Sequence, residues 1–321
     1  MPQREHQGYD IIGDIHGCAN TLARLLEQMG YRREEGVWRH PQRQALFLGD
    51  IIDRGPRIRE SLHLVHDMVE AGFARCIMGN HEFNALGWHT PGPAGSGRQY
   101  VREHTDRQLR QISDTLGQFA NWPDEWAYFV EWFHSLPLFL DMGEFRLVHA
   151  CWDHGLIDAF KRMYPDGCID VDFIQQSVYP GSFAYQVQDR LLRGTGMPLP
   201  HGMKMTGRDG FTRSFFRTKF WEEDPQTYGD VQFQPDPLPE EIAARPLSDS
   251  QKAELMLYGP DEPILFVGHY WQEGRPHPIR PNVACLDYSA VKFGKMVAYR
   301  WDGESRLDRE HFVWIDVPRG G

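Results

Sequence analysis

Short apolar runs that break off at a polar cluster recur along the chain: YDII before Asp14, ALFL before Gly49, RCIM before Gly79, FRLV before His149 and ILFV before Gly268. Such short runs, bounded by glycine and charge, read as buried strands. Between the first three, apolar positions take helical spacing: Leu22, Leu25, Leu26 and Met29 ahead of Gly30, then Leu62, Val65, Met68 and Val69. The segment up to Gly79 therefore reads β-α-β-α-β, with crossovers that make the strands parallel. PGPAGSG at 91–97 breaks the pattern as a mobile loop. Beyond it, 98–121 and 124–134 are expected to be helical, the second with Trp126, Tyr128, Phe129, Trp132 and Phe133 as a core stripe. LPLFLD and FRLVHA, separated by Met142-Gly143-Glu144, predict a hairpin, and NVACLDYS, KMVAYRW and HFVWID predict closing strands.

This order gives an α/β (α+β) class. The chain is expected to form one domain over 1–321, with a helical insertion about 98–134 and a basic, then acidic and proline-rich loop region about 190–262. A composition of 41% hydrophobic and 13% aromatic residues excludes wholesale disorder. The start MPQREHQG has no apolar leader, and no run approaches the ~20 apolar residues of a membrane span. Five cysteines without a C-x-x-C pair favour free thiols, so a cytoplasmic protein without a membrane partner is expected. The net charge of −11 argues against a nucleic acid polymer as partner. Charge is nonetheless segregated. Residues 190–220 carry Arg190, Arg193, Lys204, Arg208, Arg213, Arg217 and Lys219 against Asp209 alone, and 222–262 are strongly acidic.

Every polar cluster sits where a strand gives way to a loop, the edge at which α/β folds bind ligands. The set Asp14-Ile15-His16-Gly17, Gly49-Asp50-Ile51-Ile52-Asp53-Arg54-Gly55, Gly79-Asn80-His81-Glu82, His149 and Gly268-His269 suits two divalent ions acting on a phosphoester. Asp50 is the expected bridge, Asp14 and His16 reach the first ion, and Asn80, His149 and His269 supply the second. Imidazole and carboxylate ligands without thiolate favour Mn, with Fe or Zn as alternatives, over Mg or Ca. Arg54 offers a planar fork of donors for phosphate oxygens, and His81 is free for proton transfer if Asn80 turns to the metal. Arg217, in FFRTKFW, is the first choice for a second phosphate-binding arginine, with Arg213 beside it; the competing reading is a solvated basic face. A lone D-x-H or a lone buried histidine would carry little weight, but five pieces in order would each need a separate structural explanation.

These motifs resemble the calcineurin-like metallophosphoesterase superfamily in its protein-phosphatase branch, most of all over residues 8–83. Bacterial members of that branch, among them dinucleoside polyphosphate hydrolases and the phosphatase domain of polynucleotide kinase-phosphatase, look most similar. The resemblance implies a sandwich of two packed mixed β-sheets flanked by helices. It also implies that Arg54 clamps a phosphate oxygen, that His81 protonates the leaving group, and that Asp53 orients His81. Met78 before Gly79 and Ala150-Cys151 after His149 depart from the Ser/Thr phosphatase pattern. Asp53 departs from that of the tetraphosphate hydrolases, whereas Tyr270-Trp271 matches their aromatic step. The expectation is a phosphatase in which a hydroxide on two metals attacks phosphomonoesters, of a phosphoprotein or a small phosphorylated metabolite. The alternatives are a dinucleoside polyphosphate hydrolase, a cyclic nucleotide phosphodiesterase, and a non-catalytic scaffold with a retained metal site.

Overall fold

In the computed structural model the described residues are 7–207, 210, 212–233 and 237–317. Two mixed sheets lie face to face. In the first, Gly8–Ile12 pairs in parallel with Arg43–Phe47, which pairs in parallel with Ala74–Cys76. On its other side Gly8–Ile12 runs antiparallel to Lys295–Trp301, which also carries Asp287–Tyr288 and Phe312–Asp316. In the second, Ile264–Val267 lies parallel to both Val283–Cys285 and Phe145–Val148, and the hairpin partner Phe139–Asp141 closes the edge.

Alternation along each strand divides the core. Ile11, Leu46, Val297 and Tyr299 meet Phe145, Leu147, Phe266 and Ala284 of the other sheet, while Ile12 and Phe47 pack with Leu22, Leu25, Val65 and Met68. Helices Ala19–Gln28 and Ile58–Glu70 thus cover the outer face of the first sheet with the residues their spacing singled out, although Val69 is only partly buried.

The expected helix over 98–121 is Asp106–Gln118. Thr105 starts it by accepting the Gln108 N–H, and the preceding chain instead bonds back to Gly87 and Thr90. In the next helix, Pro123–Phe133, the apolar face holds Trp126, Phe129, Trp132 and Phe133, but Tyr128 points away and is 54% exposed. A third difference concerns 222–262, read from its prolines and acids as an extended surface loop. It contains the helices Tyr228–Val231, Glu240–Ala243 and Asp249–Glu254. Its Val231, Leu238, Ile242 and Leu247 pack with Met197, Leu199 and Phe216 in a small core of their own.

Candidate active site

Strands Gly8–Ile12, Arg43–Phe47 and Ala74–Cys76 are parallel, as are the two that precede His149 and His269, so the loops after all five converge on one edge of the sandwich. Asp14, His16, Asp50, Asn80 and His269 line a cavity of about 440 Å³ there, together with Arg54, Arg213 and Arg217. His149 is buried behind it, 3.1 Å from the Asn80 side-chain oxygen and 3.4 Å from Asp50. Arg213 and Arg217 of the basic stretch thus reach the same cavity as Arg54. Arg190 instead pairs with Asp153 at 3.8 Å, Lys219 pairs with Glu222 at 3.2 Å, and Arg208 lies outside the described residues.

Backbone strain concentrates here. His16, Asp50, Asp53, Arg54 and His269 all have positive φ, between 42° and 69°, a conformation side chains tolerate only where the surroundings enforce it. The enforcement is visible around Asp50. A Cβ on Gly79 would collide with Asp50, and one on Gly49, at φ 86°, would collide with Gly79. The buried Glu82 carboxylate accepts the N–H groups of Asp50 and Ile51 at 2.8 Å and of Gly79 at 3.0 Å, fastening one loop to the next.

Asp50 joins two clusters, His16–Asp50–His81 and Asp50–His149–His269, whose candidate ligand atoms lie within 4.8 Å of one another. His81 therefore stands close enough to be grouped with the expected ligands, although the sequence suggested a separate role. Its other ring nitrogen is engaged: Nδ1 lies 2.5 Å from Asp53, whose second oxygen accepts the Thr115 hydroxyl. Arg54 donates from one guanidinium to Nε2 of both His16 and His81, each at 3.0 Å. With those nitrogens accepting, the His81 proton sits on Nδ1, towards Asp53.

The electrostatics fit a site made for cations. Burial and the nearby Asp287 push the Asp14 carboxyl well above its usual range, and burial and Asp50 push Asp287 upward as well. Burial opposes charge on Asp50, yet His149 and His81 hold its carboxyl well below the usual range. Burial likewise opposes charge on His149, but Asp50 holds that imidazole at about 10. His16 and His269 are pushed well below the ordinary histidine value, by burial first and then by His81 and Arg54 in one case and Arg217 and His149 in the other. Burial makes charge on Asp14 and Asp287 costly, a cost that a bound divalent ion would offset. Asp14 Oδ1 and His269 Nε2 are buried without a hydrogen-bond partner among the described residues, an arrangement that a bound divalent ion would satisfy.

Sequence reasoning missed Asp287, which lines the cavity, and the roles of Glu82 and Thr115. Asp287 obeys the same rule as the others, since it ends the apolar run VACL, and that rule could have found it. Thr115 carried no signal, being 62 positions from Asp53 on a helix of the insertion.

Comparison with known proteins points the same way. Asymmetrical bis(5′-nucleosyl)-tetraphosphatase PrpE of Bacillus subtilis is 42% identical over 145 residues, 44% of this chain and 57% of that protein. The protein of the same name from Halalkalibacterium halodurans is 43% identical over 74 residues, 23% of this chain and 30% of that protein. The chain thus matches between under a third and just over half the length of these relatives. A Saccharomyces cerevisiae protein serine/threonine phosphatase superposes with a TM-score of 0.51 at 13% identity, covering 100% of this chain and 82% of that one, a likeness of fold alone. The pattern of the calcineurin-like phosphoesterases matches residues 9–193, more than half of the sequence, and the chain belongs to that family.

Proposed function

We propose that this protein is a metal-dependent phosphoester hydrolase that removes phosphate from phosphomonoesters, of a phosphoprotein or a small phosphorylated metabolite. The observation that carries this reading is the convergence of Asp14, His16, Asp50, Asn80, His149 and His269 from five strand ends on a cavity also lined by Arg54. In this reading two divalent ions, Mn first and Fe or Zn as alternatives, would be held by Asp14 and His16 on one side and by Asn80, His149 and His269 on the other, with Asp50 between them. When bound they would supply charge neutralisation for the phosphoryl oxygens and an activated water.

The remaining groups have their own work. Arg54, with Arg217 and Arg213 across the cavity, binds phosphate oxygens through charge-assisted hydrogen bonds. Once the Arg54 fork turns from the two histidines to the phosphate, His81 Nε2 can carry a proton and deliver it to the leaving oxygen. Asp53, steadied by Thr115, keeps the Nδ1–H in place and stabilises the imidazolium. Five free cysteines, four of them buried, support the proposed cytoplasmic location. No described helix is long and apolar enough to cross a membrane.

A second reading, hydrolysis of a dinucleoside polyphosphate, is favoured by the names of the PrpE relatives. A panel of phosphopeptide, mononucleotide, 2′,3′-cyclic nucleotide and diadenosine tetraphosphate, assayed with added Mn, separates the two. Phosphate release from the monoesters, abolished by chelation, is expected. Turnover of the tetraphosphate alone selects the second reading, and turnover that survives exhaustive chelation contradicts both.

A further inference from the structure

Beside the metal-type cavity lies a larger one, of about 650 Å³, that the proposed reaction does not use. The two share Arg54 and Val291, so a ligand held by phosphate at Arg54 could extend directly into it. Its volume falls within the range on the order of 300–1,000 Å³ of small-molecule sites. Pro56, Ala290, Val291 and Phe293 give it an apolar lining, and Asn20 and Arg24 supply polar groups at the protein surface. Gln118 also borders it but is committed: its amide donates to the Gly55 carbonyl and accepts the Ile58 N–H.

Phe293 is the feature a purely structural wall does not explain. Its ring is 55% exposed and makes no aromatic contact among the described residues. Its backbone is left-handed, at φ 61°, an uncommon conformation for a bulky side chain. The turn around it is tied down nonetheless: the Phe293 N–H donates to Ala290, the Gly294 N–H to Ser289, and the Val317 N–H to Gly294. A hydrogen-bonded turn thus sets an exposed ring, without an aromatic contact among the described residues, in the wall of a cavity that shares Arg54 with the phosphate site.

We infer that this cavity is a subsite for a planar aromatic group carried by the substrate's phosphate, a nucleobase or a phenol, which packs against Phe293 while Arg54 holds the phosphate. The inference rests on the reading that the neighbouring cavity binds phosphate, but a binding test keeps the two apart. Non-hydrolysable phosphonates are titrated calorimetrically into the Mn-loaded protein: methylphosphonate, benzylphosphonate and the phosphonate analogue of AMP. At least one aromatic ligand is expected to bind on the order of 10-fold more tightly than methylphosphonate, as ring stacking on a single aromatic side chain would give. Preference for benzylphosphonate marks an aryl ester, and preference for the AMP analogue marks a nucleotide.

The advantage should disappear in Phe293→Ala, and also in Phe293→Gly, which suits the left-handed backbone and guards against misfolding. It should persist in Phe293→Tyr, with methylphosphonate affinity unchanged in all three. Equal affinity for methyl and aromatic phosphonates in the unaltered protein overturns the inference, as does an aromatic advantage that survives Phe293→Ala. Failure of phosphoester turnover, by contrast, would sink the hydrolase reading and leave the aromatic preference to be judged by binding alone.

Discussion

Arg54 reaches His16 and His81 at once, and this shows how closely the proposed phosphate contact and the proposed proton donor are coupled. A general acid contributes ~10²–10⁴-fold when the leaving oxygen is strongly basic and little when it is already acidic. His81→Ala should therefore cripple hydrolysis of an alkyl phosphate while sparing p-nitrophenyl phosphate in part; equal losses on both would contradict the acid role. Thr115→Val should show a weaker form of the same pattern, because it only loosens Asp53. Arg217, half-buried with its guanidinium 5.7 Å from the centre of the Tyr270 ring, adds a charge-assisted contact of about 1.5–3 kcal/mol if it binds phosphate. Arg217→Ala should then lower kcat/KM by on the order of 10- to 100-fold with metal content unchanged. Normal kinetics in that variant would return the basic stretch to a solvated face. The residues around these groups were legible because a polar cluster at each strand end has few structural excuses. Asp287 escaped because VACL runs straight into Asp287-Tyr288 and reads as one continuous strand, whereas Glu82 acts through backbone N–H groups that no spacing reveals.

At the scale of elements, the early parallel strands and their helices were readable because helix and strand periods differ so clearly there, but the short antiparallel pair Arg32–Glu34 and Val37–Arg39, which interrupts the expected β-α-β-α-β order, was not. The later segments were harder. The Thr105 cap starts the first insertion helix at Asp106 rather than at 98, whereas Pro123–Phe133 lies within one residue of the expected 124–134. In 222–262 the prolines masked the spacing of Val231, Leu238, Ile242 and Leu247, which acquire a partner face only from Met197, Leu199 and Phe216. One inter-helix tie gives a direct test. Glu125 of Pro123–Phe133 accepts two bonds from Arg59, at 2.8 and 2.9 Å, and lies 2.5 Å from His63, both on Ile58–Glu70. Partial burial opposes its charge, but Arg59 and His63 hold the carboxyl below its ordinary value. A carboxyl depressed on folding stabilises above its unfolded pKa, ~4.3, and that contribution fades as pH falls through the folded value. Glu125→Gln should thus lower stability by on the order of 0.5–1 kcal/mol at pH 7, and melting curves should show the gap closing below about pH 4. A gap that is constant with pH would contradict the ion-pair origin.

For the whole molecule, a net charge of −11 surrounds a cavity lined by Arg54, Arg213 and Arg217, so anionic substrates must be drawn past an unfavourable overall field. Arg190, paired to Asp153 away from the cavity lining, contributes to that field only. Arg190→Gln should lower kcat/KM at low salt, lose the effect as salt rises, and leave kcat alone; a changed kcat would place Arg190 nearer the reaction than proposed. The kinetic expectations depend on the cavity holding two divalent ions around Asp50. The most direct measurement is metal stoichiometry by equilibrium dialysis against Mn and elemental analysis, on the protein and on Asp50→Asn, with thermal melting to show that both are folded. Two Mn per chain are expected in the protein, with occupancy and phosphoester hydrolysis both lost in the folded variant. One ion or none in the protein, or two ions and full hydrolysis in Asp50→Asn, would contradict the two-metal site.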